Sequence, residues 1–191
     1  APNFYSNMVK ILTNWNPIFF AVGGFSSLWG SNFFPNRWRE STYVSIWGWG
    51  ITRENWKKYS IIIDKNSFHE SLQQSKIWRE LSNREKKIWI SRFTKVANNP
   101  SFTWDTQIQY ASFIHNMKNV QSLWRISENV GFNNEVSTNT KGRRPIIYGL
   151  ESTSSSDIPI NNLIQGRLAR LIEVLDRFVI VGIYKIPVRK F

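Results

Sequence analysis

The sequence lacks cysteine and contains only two histidines, His69 and His115, which lie far apart in the chain. Without cysteine there is no disulfide framework and no thiolate metal ligand. Neither histidine has a second histidine or a carboxylate at the i+3 or i+4 spacing that helical zinc sites use. The sequence therefore predicts no metal site and no cofactor, and it fits a reducing intracellular compartment or an organelle.

Signatures of covalent and phosphate-dependent catalysis are also lacking. The segment Gly24-Phe25-Ser26 does not complete the Gly-x-Ser-x-Gly motif that presents a serine nucleophile. No glycine-rich loop of the phosphate-binding kind is present. These absences favour a non-enzymatic protein without deciding the point.

Long hydrophobic runs are missing as well. Residues 11–34 are the most apolar early stretch, but Asn, Pro, Gly and Ser interrupt it, and its longest unbroken apolar run covers residues 18–22. A helix that crosses a bilayer needs about 20 mostly apolar residues. The sequence therefore predicts no transmembrane span.

Positive charge is what the chain has in excess. Its 25 Lys and Arg residues outnumber 13 Asp and Glu residues, which gives a net charge of +12. Residues 37–95 contain thirteen of the bases and six of the acids, and residues 137–191 contain nine and four. A charge this far from neutrality indicates an anionic partner, either nucleic acid or another anionic surface.

The distribution of aromatic residues suggests how the chain is organised. Aromatic side chains make up 15% of its 191 residues, which is enough apolar surface for a folded core. Residues 1–36 are rich in aromatics and punctuated by Gly and Pro, so we expect an N-terminal arm there. Residues 37–191 are expected to form a single basic α+β domain, with a small mixed or antiparallel sheet and two or three amphipathic helices.

Several segments have the residue pattern of strands. In residues 42–51 large aromatic side chains alternate with aliphatic residues and glycines, which places Tyr43, Trp47 and Trp49 on one face of a strand. Shorter runs rich in β-branched or apolar residues predict further strands at 61–63, 101–108, 146–150 and 178–184.

Helix signals lie mainly between residues 67 and 98. Ser67 with Glu70, and Ser82 with Glu85, each have the spacing of a capping box, and apolar residues follow at helical intervals. We expect two consecutive helices, or one bent helix, over 68–97, ended by Pro100. A helix is also predicted over 161–177, and residues 109–126 fit a helix less clearly.

Bases alternate with aromatic side chains in the first basic block. Binders of single-stranded nucleic acid need both, because cations neutralise phosphates while flat rings stack on bases. The loop at 141–144 adds paired arginines beside a glycine that lets the backbone approach phosphate. The predicted nucleic-acid-binding residues are Arg37, Arg39, Trp47, Trp49, Arg53, Lys57, Lys58, Lys141, Arg143 and Arg144.

A local resemblance also points to nucleic acid. The run from Trp78 to Trp89 resembles the junction between the second and third helices of HMG-box DNA-binding domains, where a tryptophan packs the elbow and a Glu-Lys pair opens the last helix. The resemblance covers about a dozen residues and implies a first helix near 53–63 and a long basic third helix. The sequence departs from that pattern at the strand-like residues 61–63 and at Pro100.

A nuclease pattern is a further possibility. Asp64 follows an apolar run, and Glu85 and Lys87 lie about twenty residues later, in the order Asp…Glu-x-Lys of metal-dependent nucleases. Two carboxylates would hold Mg²⁺ while the lysine stabilised charge on the phosphate. In that family the Glu-x-Lys lies on a strand, whereas here a helix start is predicted.

Together these features favour a basic structural or nucleic-acid-binding subunit of a larger assembly, of the ribosomal, nucleoprotein or virus-coat kind, with RNA favoured over DNA and other protein subunits as partners. One alternative is a protein-interaction subunit peripheral to a membrane complex, or a membrane-active protein, acting through residues 1–36. The metal-dependent nuclease is the other alternative.

Overall fold

The structure is a computed structural model that describes residues 4–15, 19–24, 37–123 and 163–184. Within these ranges it contains seven α-helices and a five-stranded mixed sheet, which confirms the predicted α+β class. In chain order the elements are α1 (Phe4–Trp15), β1 (Phe19–Gly23), β2 (Trp38–Ser41), β3 (Trp49–Ile51), α2 (Arg53–Trp56), α3 (Phe68–Gln74), α4 (Lys76–Glu80), α5 (Asn83–Asn98), a 3-10 turn (Pro100–Phe102), α6 (Asp105–Ile114), β4 (Lys118–Ser122), β5 (Leu163–Ile164) and α7 (Gly166–Tyr184).

The sheet has the strand order β3-β1-β4-β2-β5. β1 pairs antiparallel with β3 and parallel with β4, and β2 pairs antiparallel with β4 and parallel with β5. In this register Val22 of β1 lies between Gly50 and Val120. Residues 1–36, the predicted arm, therefore contribute an interior strand to the sheet.

β1 is buried at every position because helices cover it from two directions. Phe19 and Val22 cluster with Met8 and Ile11 of α1, while the neighbouring Phe20 and Ala21 cluster with residues of α6. A strand covered in this way has a continuous apolar run instead of alternation. Residues 18–22 accordingly lack the alternation of polar and apolar residues that indicates a half-exposed strand.

The largest core cluster lies among α3, α4, α5 and α6 and is mostly aromatic. Phe113 of α6 lies edge-on to the ring of Trp78 and to the ring of Phe93, with centroid distances of 5.7 and 6.2 Å. Further buried members are Ile63, Phe68, Leu72, Ile77, Leu81, Val96 and Ala97. Edge-to-face aromatic pairs add stability beyond the area that they bury.

The strand predicted over 42–51 is wrong except at its end, where β3 begins at Trp49. Side chains bind the backbone of residues 42–44 in place of a neighbouring strand, and two of these hydrogen bonds come from Gln109 of α6. Its Oε1 accepts from the backbone N–H of Val44 at 2.7 Å, and its Nε2 donates to the carbonyl of Thr42 at 3.1 Å. A side chain thus replaces a neighbouring strand.

The strand predicted over 61–63 is also wrong. Ile61 and Ile62 are exposed and Ile63 alone is buried in the core. The carbonyl of Ile61 accepts a hydrogen bond from Nε2 of Gln107 at 3.2 Å. This segment is a loop that inserts one side chain into the core.

Two further strand predictions are wrong for one common reason, which is that a short apolar run fits a helix as well as a strand. Residues 101–108 form the 3-10 turn and the start of α6, and residues 178–184 belong to α7. α7 begins at Gly166, later than the predicted 161. The strand predicted over 146–150 lies outside the described residues.

The helices between 68 and 98 number three, where two helices or one bent helix were expected. The capping box of Ser82 and Glu85 is confirmed at the start of α5. The other box is wrong: Ser67 occupies the N-cap position of α3, but its side chain makes no capping hydrogen bond, and its hydroxyl donates instead to Asp64 Oδ2 at 2.5 Å. The HMG-box resemblance does not extend either, since residues 53–63 form only the single turn of α2.

Gly23 ends β1 where another backbone segment passes very close. A Cβ at this position would lie 2.6 Å from Cβ of Ser45 and 2.9 Å from its carbonyl oxygen. We therefore expect Gly23→Ala to lower the free energy of unfolding by about 1–3 kcal/mol, measured by urea denaturation. Gly50→Ala is the matched control, because its Cβ would meet only the flexible end of Leu12, at 3.0 Å. Equal losses in the two variants would contradict this account.

Candidate nucleic-acid interface

Four aromatic rings form a continuous row at the β3 edge of the structure, in the order Trp104, Trp49, Trp56, Tyr59. Successive ring centroids lie 5.6, 6.4 and 4.7 Å apart, and the outer two pairs are stacked with interplanar angles of 27° and 12°. Trp56 and Trp104 are each 45% exposed. We call these four residues the aromatic row.

Different elements bring the four rings together. Trp49 begins β3, which is an edge strand, and Trp104 immediately precedes α6. Trp56 ends α2, whose first turn is capped by Thr52 through its Oγ1, which accepts from the N–H of Asn55 at 3.2 Å. Tyr59 follows in a turn in which its N–H donates to the carbonyl of Trp56 at 3.0 Å. The row therefore rests on regular elements and a hydrogen-bonded turn.

Asn55 fixes α2 to the sheet. Its buried side chain donates from Nδ2 to the carbonyls of Phe19 and Phe20, at 2.8 and 3.1 Å. Hydrogen bonds of this kind satisfy backbone groups that would otherwise be buried without partners. They also hold α2, and with it Trp56, at a fixed position relative to β1.

Tyr59 closes the row as a neutral ring. Burial, and next the nearby carboxylate of Asp105, raise the pKa of Tyr59 above its usual value of 10.0. Asp105 itself accepts a short hydrogen bond from Oγ1 of Thr103. At neutral pH the phenol therefore stays protonated and keeps its capacity to donate a hydrogen bond.

α2 carries cations beside the row. Arg53 is exposed and lies one turn before Trp56, and its side chain makes no hydrogen bond or ion pair within the described residues. Lys57 is exposed and pairs with Glu54 at 2.9 Å, with both side chains more than half exposed. An exposed pair of this kind is weak, so the lysine can exchange it for a phosphate.

Lys58 has a structural role instead. Its Nζ donates to Oδ1 of Asn55 at 2.8 Å and contacts Sδ of Met117 at 3.1 Å, and the residue is half-buried. These contacts tie α2 to the start of β4. Lys58 therefore stabilises the position of α2, and its ammonium group is less accessible to a partner than the side chains of Arg53 and Lys57.

Another cation approaches from α5. Nζ of Lys95 lies 3.6 Å from the ring centroid of Phe102, a cation–π contact. Phe102 is exposed and precedes Trp104 by two residues, so it lies within about 7 Å along the backbone. Lys95 and Phe102 thus extend the site at the Trp104 end of the row.

Arg39 does not reach this surface, which corrects its assignment to the predicted interface. It is buried, and its Nη2 donates to Oε1 of Gln121 at 2.8 Å while Nη1 lies 3.7 Å from Oε1 of Glu173. The same carboxylate accepts from the N–H of Thr42 at 2.5 Å and from the hydroxyl of Ser41 at 3.1 Å. These contacts dock α7 against β2, and they leave Arg39 out of reach of a macromolecule.

Arg37 lies apart from the row, and Trp47 is not a member of it. Arg37 is exposed before β2, three strand positions from β3, which is about 14 Å across the sheet. Trp47 is half-buried and is not one of the four rings. The predicted common face of Tyr43, Trp47 and Trp49 is wrong, because Tyr43 stacks on Trp89 at 5.7 Å in the other cluster. Lys141, Arg143 and Arg144 lie outside the described residues.

Both carboxylates of the predicted nuclease pattern accept hydrogen bonds from neighbouring groups of the protein. Asp64 accepts from Oγ of Ser67 and from the N–H of Asn66, and these two bonds lower the pKa of its carboxyl group. Glu85 serves the capping box and accepts from the hydroxyl of Tyr43 at 2.6 Å. Among the described residues, no group of three or more His, Asp or Glu side chains is placed to hold a metal ion.

Five site residues are missing from the predicted interface: Trp56, Tyr59, Trp104, Lys95 and Phe102. The motif Trp56-Lys57-Lys58-Tyr59 is a visible signal for one half of the row. Trp104 has no such signal, because it follows Trp49 by 55 residues and meets it only through the packing of α6 on the sheet.

No protein-family model, curated protein or solved structure matches this chain. Within the ranges that the structure describes, each helix is too short or too polar to cross a bilayer. The functional argument therefore depends on the geometry of the aromatic row and its cations.

Proposed function

We propose that this protein binds single-stranded nucleic acid through the aromatic row, as a non-enzymatic subunit of a larger assembly. The observation that supports this most directly is the pair of half-exposed indoles, Trp56 and Trp104, at either side of Trp49 and flanked by cations. We place RNA before DNA, because RNA presents unpaired bases in loops, bulges and ends, whereas cellular DNA is mostly duplex.

The stacking step uses the two exposed indoles. Each stacked base contributes about 1–3 kcal/mol, and the contribution depends little on which base is present. Trp49 contacts both indoles and limits their motion, so a bound base meets rings that are already ordered. Little side-chain entropy is then lost on binding.

The electrostatic step uses Arg53, Lys57 and Lys95. Each cation that neutralises a phosphate releases a condensed counterion, and for single strands the slope of log affinity against log salt is about −0.7 per contact. Three contacts predict a slope of about −2, or a steeper one if the basic residues at 141–144 also contact the strand.

The test is a fluorescence titration of the full chain with a labelled oligo(U) of about 12 nucleotides, using the duplex of equal length as the control. We expect tryptophan quenching and binding that weakens with salt at the slope above. The duplex should bind more weakly at the same salt, because its bases are already stacked. A flat salt dependence, or equal affinity for single strand and duplex, would contradict the proposal.

A matched pair of lysine and arginine variants locates the site along α5. Lys95→Gln should weaken oligo(U) binding and make the salt slope shallower by about 0.7, because one phosphate contact is lost. Arg84→Gln removes the same charge eleven residues earlier on the helix, about 16 Å away, and should leave both quantities nearly unchanged. Equal effects would indicate non-specific attraction by net charge.

A further inference from the structure

α7 is docked by one face only. Ala169 and Ile172 are buried against Leu123 and Ile164, and Glu173 beside them is 4% exposed. The carboxylate of Glu173 also accepts from Oγ1 of Thr42 at 2.9 Å. These contacts fix which side of the helix faces the sheet.

The outer face of α7 is apolar and open. Its large aliphatic side chains are between 36% and 57% exposed, whereas surface apolar residues usually occur singly. At about 100° per residue they occupy an arc of roughly 120° on the side away from Ile172 and Glu173. We call these residues the α7 stripe: Leu168, Leu171, Val174 and Leu175.

The stripe cannot be buried by rotation of the helix. Turning it toward the sheet would expose Ile172 and remove Glu173 from Thr42 and Arg39. The exposed face is therefore a fixed surface that a partner meets in a formed state, which lowers the entropy cost of binding.

The charges beside the stripe indicate what kind of partner fits. Arg167 and Arg170 are the exposed charged residues of α7 between Gly166 and Leu175. Arg170 lies 3.8 Å from Glu80, and both arginines line a cleft of about 270 Å³. The side chain of Arg167 makes no hydrogen bond or ion pair within the described residues, and Arg167 lies one turn before Leu171, inside the arc of the stripe.

This placement of Arg167 argues against two possible occupants. If the stripe inserted into the apolar layer of a membrane, the charged guanidinium of Arg167 would be buried with it. Burying an unpaired charge in lipid costs free energy. A second copy would add a molecule with the same net charge of +12. A carboxylate from a different protein would satisfy Arg167 while apolar residues cover the leucines.

We propose that the α7 stripe is the docking face for an acidic amphipathic helix of another protein. Leu168, Leu171 and Leu175 have the i, i+3, i+7 spacing of a coiled-coil seam, which packs against apolar residues of a facing helix at the same intervals. A Glu or Asp that flanks the seam of the partner would pair with Arg167. This surface is separate from the aromatic row, and the proposal does not depend on nucleic-acid binding.

The probes are two designed helical peptides of about three heptads, with leucine at the seam positions and either Glu or Lys at every flanking position. In anisotropy titrations of the full chain, the Glu peptide should bind and the Lys peptide should bind at least about tenfold more weakly. Arg167→Glu should reverse that order, which a merely structural role of Arg167 does not predict.

Leu171→Asp should weaken Glu-peptide binding at least about tenfold, because it places a charge in the seam. Ile62→Asp changes a similarly exposed aliphatic residue outside α7 and is the matched control. This variant should bind the Glu peptide as tightly as the wild type does. Circular dichroism melts of all variants check that each remains folded.

Three results would overturn the proposal. The first is failure of both peptides to bind the wild-type chain, or a preference that Arg167→Glu does not change. The second is association with vesicles of phosphatidylcholine and phosphatidylserine that Leu171→Asp abolishes, which would assign the stripe to lipid. The third is a wild-type dimer that Leu171→Asp converts to monomer, which would assign it to a second copy.

Discussion

Replacing Glu173 with alanine is expected to lower the free energy of unfolding by about 3–5 kcal/mol. The carboxylate is buried and receives hydrogen bonds from the backbone and the hydroxyl of Thr42 and from Ser41, with Arg39 at 3.7 Å. Alanine leaves these donors, and the buried guanidinium of Arg39, without that acceptor. Removing one partner of a buried pair costs more free energy than the intact pair contributes, because the remaining group stays desolvated without a partner.

Glu80→Ala is the matched control, since Glu80 is also paired with an arginine. Its ion pair with Arg170 is longer, at 3.8 Å, and the two side chains are 44% and 64% exposed. An exposed pair contributes about 0–1 kcal/mol. Urea denaturation followed by circular dichroism measures both losses, and unchanged m values would show that both variants unfold from similar structures. Similar losses at the two positions would contradict a buried network at Glu173.

The features that the sequence predicts correctly depend on contacts close in the chain. The capping box of Ser82 and Glu85 spans three residues, and both its hydrogen bonds are present at the start of α5. Net charge and the mixed α+β class follow from composition and from the order of apolar patterns. Of the predicted interface residues, Trp49 belongs to the aromatic row, and Arg53 and Lys57 lie on α2 beside it.

The features that the sequence does not reveal depend on side chains that bind distant backbone. Gln109 of α6 binds the backbone of residues 42 and 44, and Gln107 donates to the carbonyl of Ile61, in two segments where strands are predicted. Arg39 is predicted to be accessible because it lies in a run where bases alternate with aromatic residues. Its burial depends on Glu173, which lies more than a hundred residues later in the chain. Local patterns contain no information about such partners.

The aromatic row also combines a contact between residues close in the chain with a contact between distant residues. Trp56 and Tyr59 are three residues apart, and their rings stack at 4.7 Å through the turn after α2. Trp104 joins only because the 3-10 turn and α6 return the chain to the edge strand. A site assembled from three segments is therefore only partly visible in the sequence, and the contribution of Trp104 appears only in the fold.

The double variant Trp56→Ala, Trp104→Ala is expected to weaken oligo(U) binding by at least about thirtyfold, since two stacked bases are lost at about 1–3 kcal/mol each. Each single variant should cost at least about fivefold. Both indoles contact Trp49, so the two losses need not add, and a double-mutant cycle measures their coupling. Tyr5→Ala, which removes a more exposed ring on α1, is the control and should leave the affinity unchanged.

Salt separates the contribution of stacking from that of charge in this experiment. Stacking releases no counterions, so the double variant should keep the salt slope of the wild type while its affinity falls at every salt concentration. At about 1 M salt, where phosphate contacts are screened, the wild type should retain weak binding and the double variant should lose it. If the variants instead change the slope and leave high-salt binding intact, the row acts through its neighbouring cations, and stacking is not the mechanism.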